Sequence, residues 1–121
     1  MLIVDTSVFV DFLRRGDETV SRALESGLVL SHPFVTGEIA LGHLKNRSEI
    51  ISLLTALPRA VVASDDEILS FIERFELHGR GIGYVDTHLL ASARLSGAAL
   101  WTRDRKLLTI ATDLQLASAG T

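Results

Sequence analysis

The chain contains no cysteine, which excludes disulfide bonds and metal sites built on thiolates. No apolar run approaches the roughly 20 residues that a membrane-spanning helix needs. Residues 1–5 lack the basic region and the long apolar stretch of a signal peptide. From these absences we expect a cytoplasmic protein with no membrane partner.

Basic residues are also few, because 12 Lys and Arg stand against 15 Asp and Glu, which gives a net charge of −3. A protein that holds nucleic acid by bulk charge has the opposite balance. If nucleic acid is nevertheless the substrate, local basic residues or a bound metal must offset the acids.

Several common functional motifs are missing. The sequence has no Gly-x-x-x-x-Gly-Lys-Ser/Thr phosphate loop and no Gly-x-Ser-x-Gly nucleophile turn. The glycines at 79, 81 and 83 follow a predicted helix rather than a strand, so they do not support a dinucleotide fingerprint. The four histidines lack the spacing of a zinc site, which favours surface or core roles for them.

What the chain has in excess is apolar side chains, at 47% of 121 residues with a mean hydropathy of +0.31. No linker, repeat or low-complexity tract interrupts it, so we predict one domain over residues 1–121. The apolar surplus favours a surface that contacts a partner chain, and a dense core is the alternative.

Short apolar runs alternate with amphipathic segments along the chain. The predicted strands are Leu2–Val4, Leu28–Leu30, Ala60–Ala63 and Ala98–Trp101, with a short last strand at Leu114–Leu116. Helices are predicted between them. This alternation is typical of an α/β fold, here a parallel sheet of four to five strands covered by helices on both faces.

Four acidic residues lie at the ends or edges of apolar segments, where a folded protein seldom places a charge. They are Asp5, Glu38, Asp86 and Asp104. In a parallel sheet, ligands bind beyond the carboxyl ends of the strands. Carboxylates that are distant in sequence can therefore meet on one rim, and crowded carboxylates favour a hard divalent cation.

Three of the acids also have a structural interpretation, whereas Glu38 has no basic residue three or four positions away and is the hardest to explain structurally. Asp5 could cap the following helix, Asp86 could complement a helix dipole, and Asp104 could be a turn residue held by its neighbouring arginines. Helical spacing places Glu38 and Asp86 beside apolar neighbours, so we expect both to point inward from the starts of their helices. A common site explains all four acids together better than four separate structural roles.

Three motifs, in this order along the chain, resemble PIN-domain ribonucleases, and most closely the VapC toxins of toxin–antitoxin pairs. They are Val4-Asp5-Thr6-Ser7, the segment Gly83–Ala91 and the segment Leu100–Asp104, with Glu38 between the first two. The resemblance covers essentially the whole chain. It implies a PIN-like three-layer α/β/α fold and a metal-dependent endoribonuclease that a cognate VapB-like antitoxin neutralises. It also implies a homodimer.

The resemblance assigns catalysis and the binding of Mg²⁺ or Mn²⁺ to Asp5, Glu38, Asp86 and Asp104. Thr6 and Thr102 match supporting hydroxyl positions, which we expect to orient water at the metal. Candidate contacts to RNA phosphates are the nearby basic residues, whose alternative role is that of plain surface cations: Lys45, Arg47, Arg80, Arg103, Arg105 and Lys106.

Two other classes of function stay open at this stage. A phosphoryl-accepting receiver domain has a similar size and an acidic Mg²⁺ pocket, but it needs paired acids after its first strand, where this chain has Asp5 followed by Thr6. A non-catalytic RNA-binding or scaffolding relative need not keep all four acids, and this chain has them. The RNA target cannot be deduced, because loop shape would determine it.

Overall fold

The computed structural model describes residues 1–118. The last three residues of the predicted domain, 119–121, lie outside the described residues. Within the described part, three strands and seven helices follow one another. The strands are β1 (Leu2–Val4), β2 (Val29–Leu30) and β3 (Ala99–Trp101). The helices are α1 (Thr6–Arg15), α2 (Glu18–Glu25), α3 (Pro33–Leu41), α4 (Arg47–Ala56), α5 (Asp65–Arg74), α6 (Tyr84–Ser96) and α7 (Arg105–Asp113).

The sheet has the order β2-β1-β3, and both pairings are parallel. From the central strand β1 the chain first moves to β2 at one edge of the sheet, and it then crosses back over β1 to β3 at the other edge. Because such crossovers are right-handed, the two connections cover opposite faces of the sheet. The predicted three-layer α/β/α architecture is thus confirmed, and β1 lies at the point where the strand order reverses.

The predicted count of four to five strands is wrong, since the described residues form three. The segment 60–63 forms no strand: the single bridge beside β2 joins Ser31 to Arg59, the residue before this segment, and Val61 is 52% exposed. The segment 114–116 turns instead, with Gln115 at a φ of 60°, and only Ala117 bridges to Leu100. Both edges of the sheet therefore end in one bridge rather than in a paired strand.

The core lies around the central strand and α6. Ile3 in β1 and Leu100 in β3 are fully buried, and α6 is buried continuously from Thr87 to Ala93. α6 ends at Gly97, whose φ of 62° gives the left-handed turn that glycine adopts without strain. This buried helix carries Asp86 in its first turn, so the core directly fixes the position of that acid.

No helix in the described range 1–118 combines the length and apolar character that a membrane span requires.

A buried histidine joins the start of α3 to α6. The Nδ1 atom of His32 accepts a hydrogen bond from the backbone N–H of Phe34 (3.1 Å), so the neutral ring carries its proton on Nε2. Nε2 donates that proton to the hydroxyl of Ser92 at 3.0 Å. Burial, followed by the charges of His88 and Arg59, lowers the pKa of His32 to about 4.

We predict that His32 makes the fold sensitive to acid. Its folded-state pKa of about 4 lies below the ordinary value of 6.5. The unfolded chain therefore takes up a proton first as the pH falls. The contribution of neutral His32 to the free energy of unfolding is complete above pH 6.5. As the pH falls towards 4, this contribution decreases by up to about 3 kcal/mol. Chemical unfolding of the wild type and of His32→Asn, which keeps a capping acceptor, should show a smaller loss of stability between pH 7 and 4 in the variant. Parallel curves would contradict this assignment.

Candidate active site

The acidic rim begins where β1 and β3 end side by side. Asp5 follows β1, and its backbone N–H donates to the carbonyl of Trp101 at 2.9 Å. Thr102 and Asp104 follow β3 on the adjacent strand. Because the sheet order reverses at β1, this edge is the position at which parallel sheets bind ligands.

The side chain of Asp5 is buried and held by two hydroxyl groups. Its Oδ2 atom accepts from the hydroxyl of Thr102 at 2.8 Å and from that of Ser7 at 3.1 Å. It makes no capping bond to α1, although it occupies the N-cap position. No hydrogen bond therefore supports the interpretation of Asp5 as a helix cap. The other carboxylate oxygen, Oδ1, has no hydrogen-bond partner among residues 1–118.

Asp104 is linked to Asp5 through the same hydroxyl. The Oγ1 atom of Thr102 accepts the backbone N–H of Asp104 at 3.1 Å while it donates to Asp5. Asp104 is the N-cap of α7, and its Oδ1 atom accepts the backbone N–H of Leu107 at 3.0 Å. One side of this carboxylate caps a helix, and Oδ2 has no hydrogen-bond partner in the described chain.

The neighbouring arginine does not hold Asp104, so that part of the alternative interpretation is wrong. The guanidinium of Arg103 instead donates to Asp11 and to Asp17, each at 2.8 Å. These bonds tie the loop after β3 to α1 and to the start of α2. The backbone N–H of Val20, followed by the hydrogen bonds from Arg103 and Thr19, lowers the pKa of Asp17 against a smaller opposing effect of burial.

Glu38 approaches the rim from α3. Its Oε1 atom accepts from the hydroxyl of Thr6 at 2.7 Å, and Oε2 makes no hydrogen bond within residues 1–118. The prediction that Glu38 points inward from a helix start is wrong: it is exposed in the second turn, and Leu41 beside it is 90% exposed. Val35 and Ile39 form the buried face of α3. Apolar neighbours alone did not identify which face is buried.

Asp86 is half-buried, as its position beside Leu89 and Leu90 predicts. Burial raises its pKa most, and the charges of Asp5, Asp104 and Glu38 raise it further, while the backbone N–H of Gly83 opposes the shift. That N–H lies 3.4 Å from Oδ2, which makes a weak bond. The charges of the other three acids therefore reach Asp86, although the four acids lie on four different segments.

The four carboxylates share one pattern. Each has one oxygen that accepts a protein hydrogen bond and a second oxygen that accepts none from residues 1–118. Hydrogen bonds thus fix each group while leaving an anionic oxygen available. In the described range, no group of three or more carboxylate or imidazole side chains is arranged so that it could hold a metal ion by itself. An ion here would bind few carboxylates directly and reach others through water.

The six basic candidates for RNA contact fall into two groups. Arg103 pairs with two aspartates, Arg80 pairs with Asp113 at 3.0 Å, and the Nε atom of Arg47 donates to the carbonyl of Ala40 at 2.7 Å. The side chains of the other three make no ion pair or hydrogen bond with the described residues: Lys45, Arg105 and Lys106. The charges of these three and of Arg47, whose acceptor is a neutral carbonyl, are not paired with a carboxylate of the described residues.

Three contributing residues escaped the sequence reasoning. Ser7 donates to Asp5 two positions earlier, and the Asp-x-Ser spacing is a local signal that could have revealed it. Asp11 was interpreted as a solvated charge beside Arg14 and Arg15, and Asp17 as a helix start. Their common partner Arg103 is about 90 positions away in sequence, so no local pattern indicated the contact.

Comparison with known proteins agrees with this fold. The profile of the PIN domain family matches residues 2–112. The chain belongs to the PIN domain family. Ribonuclease VapC32, from two strains of Mycobacterium tuberculosis, is 43% identical to it over 108 residues, which cover 88% of this chain and 87% of the relative.

A solved structure has the same fold. The crystal structure of PAE2754 from Pyrobaculum aerophilum matches with a TM-score of 0.59 at 18% identity, over 90% of this chain and 78% of that one. At that identity, the likeness concerns the fold alone.

We predict that Thr102→Val weakens both the fold and the acidic rim. The change removes the donor to Asp5 and the acceptor for the N–H of Asp104, which costs about 1–3 kcal/mol of unfolding free energy. Thr102→Ser keeps the hydroxyl and serves as the control. Chemical denaturation measures the stability, and titration with Mn²⁺ measures the affinity. Equal values for the valine and serine variants would show that the hydroxyl contributes nothing.

Proposed function

We propose that the protein is a metal-dependent endoribonuclease of the VapC type, which hydrolyses RNA phosphodiester bonds and is neutralised by an antitoxin. The observation that carries the proposal is the set of four anchored carboxylates, each with one available oxygen, at the reversal point of the sheet. The family match and the 43% identity to a ribonuclease support the same activity.

The donor set suits Mg²⁺ or Mn²⁺. Asp5, Glu38, Asp86 and Asp104 supply only oxygen atoms, which hard divalent cations prefer, and Mg²⁺ commonly keeps several waters alongside one or two carboxylates. Such a cation, when bound, neutralises charge on the phosphodiester and makes water more acidic. Burial raises the pKa of Asp86 most, and the charges of Asp5, Asp104 and Glu38 raise it further; a bound cation would relieve that repulsion.

The chain's own residues have distinct parts in this proposal. Asp5 and Asp86 would hold the cation directly, because they are the two less exposed acids. Glu38 and Asp104 would bind through water or complete a second position. Thr102 and Ser7 keep one oxygen of Asp5 fixed, and Thr6 does the same for Glu38, so the available oxygens stay oriented towards the rim.

We predict that Asp5→Asn keeps the fold and loses activity. The oxygen of the asparagine amide can still accept the hydrogen bond from Thr102, but the substitution removes the negative charge that would bind the cation. Cleavage of total cellular RNA should therefore fall by at least about 100-fold. Glu73→Gln, on an exposed face of α5, is the control and should cleave as the wild type does. Cleavage by the wild type that persists in excess chelator would contradict the proposed metal dependence.

An apolar groove offers a place for the antitoxin. It is a cavity of about 310 Å³ between α1, α2 and α4. Its lining is almost entirely apolar, consisting of Phe9, Phe12, Leu13, Leu24, Ile50, Leu53, Leu54 and Leu57, with Glu25 as the charged exception. The apolar residues that line this groove account for part of the high apolar content of the chain. We propose that an apolar segment of the antitoxin fills it.

We predict that Leu53→Asp separates toxicity from neutralisation. Leu53 is 69% exposed at the groove, so the charge should leave the fold and the nuclease intact while it disfavours an apolar partner. Co-expression with the cognate antitoxin should then no longer restore growth. Leu69→Asp, at a leucine 60% exposed on α5, is the matched control and should stay neutralised. Rescue of both variants would place the antitoxin elsewhere.

The homodimer implied by the resemblance and the cytoplasmic location expected from the sequence stay predictions. The receiver-type alternative is not favoured, because the chain belongs to a different family.

A further inference from the structure

The chain offers one exposed aromatic ring. Its aromatic residues are five Phe, one Trp and one Tyr, and all of them lie in the described range. Trp101 is buried, whereas Tyr84 is 50% exposed and is the single aromatic residue among the exposed large hydrophobic side chains of residues 1–118. Because aromatic residues are scarce in this chain and the others are more buried, we ask whether the exposed ring of Tyr84 has a function.

Tyr84 lies next to the acidic rim. It is the first residue of α6, directly after the N-cap Gly83, and Asp86 follows it by two positions in the same first turn. Consecutive Cα atoms are about 3.8 Å apart, so the backbone of Tyr84 lies within about 8 Å of that of Asp86. Residues two apart on a helix point to different sides, so the ring and the carboxylate of Asp86 lie on different sides of the N-terminal end of α6. A strand of several nucleotides bound at the acids is long enough to contact both.

Contacts with neighbouring side chains restrict the movement of the Tyr84 ring. The ring packs edge-to-face against His88, with centroids 4.9 Å apart and an interplanar angle of 79°. His88 in turn packs against Phe34 at 4.6 Å. The hydroxyl of Tyr84 lies 3.5 Å from Oδ1 of Asp65, a weak hydrogen bond. The buried ring of His88 holds one side of Tyr84, while half of the surface of Tyr84 stays open to solvent.

An available cation lies on the other side of the same loop. The Nζ atom of Lys106 packs over Gly81, where an added Cβ atom would stand 3.0 Å from it. Lys106 makes no ion pair with the described residues. Gly81 precedes Tyr84 by three residues, a span of at most about 11 Å. A cation and an open ring therefore flank the loop that leads into α6.

We propose that Tyr84 is a stacking platform for one unpaired base of single-stranded RNA, beside the phosphodiester at the acidic rim, and that Lys106 contacts an adjacent phosphate. Proteins bind unstacked RNA bases on exposed aromatic rings and neutralise neighbouring phosphates with cations. The inference rests on the proposed ribonuclease function and adds to it the preference for an unpaired nucleotide at the cleavage site.

The test compares Tyr84→Phe with Tyr84→Leu, both in an Asp5→Asn background that does not cut the RNA. Phenylalanine keeps the ring and loses only the weak bond to Asp65, whereas leucine keeps an apolar contact with His88 and loses the flat face. Fluorescence anisotropy with a short, labelled, mixed-sequence single-stranded RNA should show binding close to that of the parent for Phe. It should be about tenfold or more weaker for Leu. Equal affinities of the two variants would overturn the proposal.

A second readout separates stacking from a merely structural role. The oligonucleotides carry one abasic site at each position in turn, and the weakening caused by Tyr84→Leu should disappear when the stacked base is the missing one. A defect of the same size on every abasic oligonucleotide would overturn the proposal. With Asp5 restored, cleavage by Tyr84→Leu equal to that of the wild type would overturn this inference alone. Failure of the wild type to bind and cleave RNA would overturn the proposed function as well.

Discussion

The hydrogen bond from the hydroxyl of Thr102 to Asp5 is the interaction on which the arrangement of the rim depends. It joins the ends of β1 and β3 at a buried position, where an unsatisfied carboxylate would be costly. The same oxygen accepts the backbone N–H of Asp104, so one side chain fixes two acids from opposite ends of the chain. Parallel pairing of β1 with β3 brings the three residues together, and the sheet therefore determines the geometry of the acids.

This arrangement places stability and function in opposition. Burial and three neighbouring charges raise the pKa of Asp86, so its ionised form disfavours the folded state at neutral pH, and protonation of this group stabilises the fold as the pH falls. The buried run of α6 from Thr87 to Ala93 is the compensating element, because it anchors the helix that carries this acid in the core. A dense core beneath a repulsive rim explains part of the high apolar content of a short chain.

The sequence predicted those features that local patterns encode. An acid directly after an apolar strand, as at Asp5, identified the carboxyl edge of the sheet, and alternating segments predicted the α/β architecture. The segment 60–63 was misassigned as a strand, because a short apolar run has the same sequence pattern whether or not its backbone pairs with a neighbouring strand. The facing of Glu38 and the partners of Arg103 depend on which elements pack together, and that information resides in the topology rather than in neighbouring residues.

The distribution of positive charge limits how RNA can be held. Three of the six basic candidates are engaged by the protein itself, and the net charge of −3 gives no long-range attraction for a polyanion. Under the functions proposed above, affinity would come from contacts made at short range: a cation at the acids, a small number of lysine and arginine side chains without an acidic partner, and the open ring of Tyr84. Contacts of this kind depend on the shape and the unpaired state of the nucleotides, so such a surface would select RNA by local structure rather than by bulk charge.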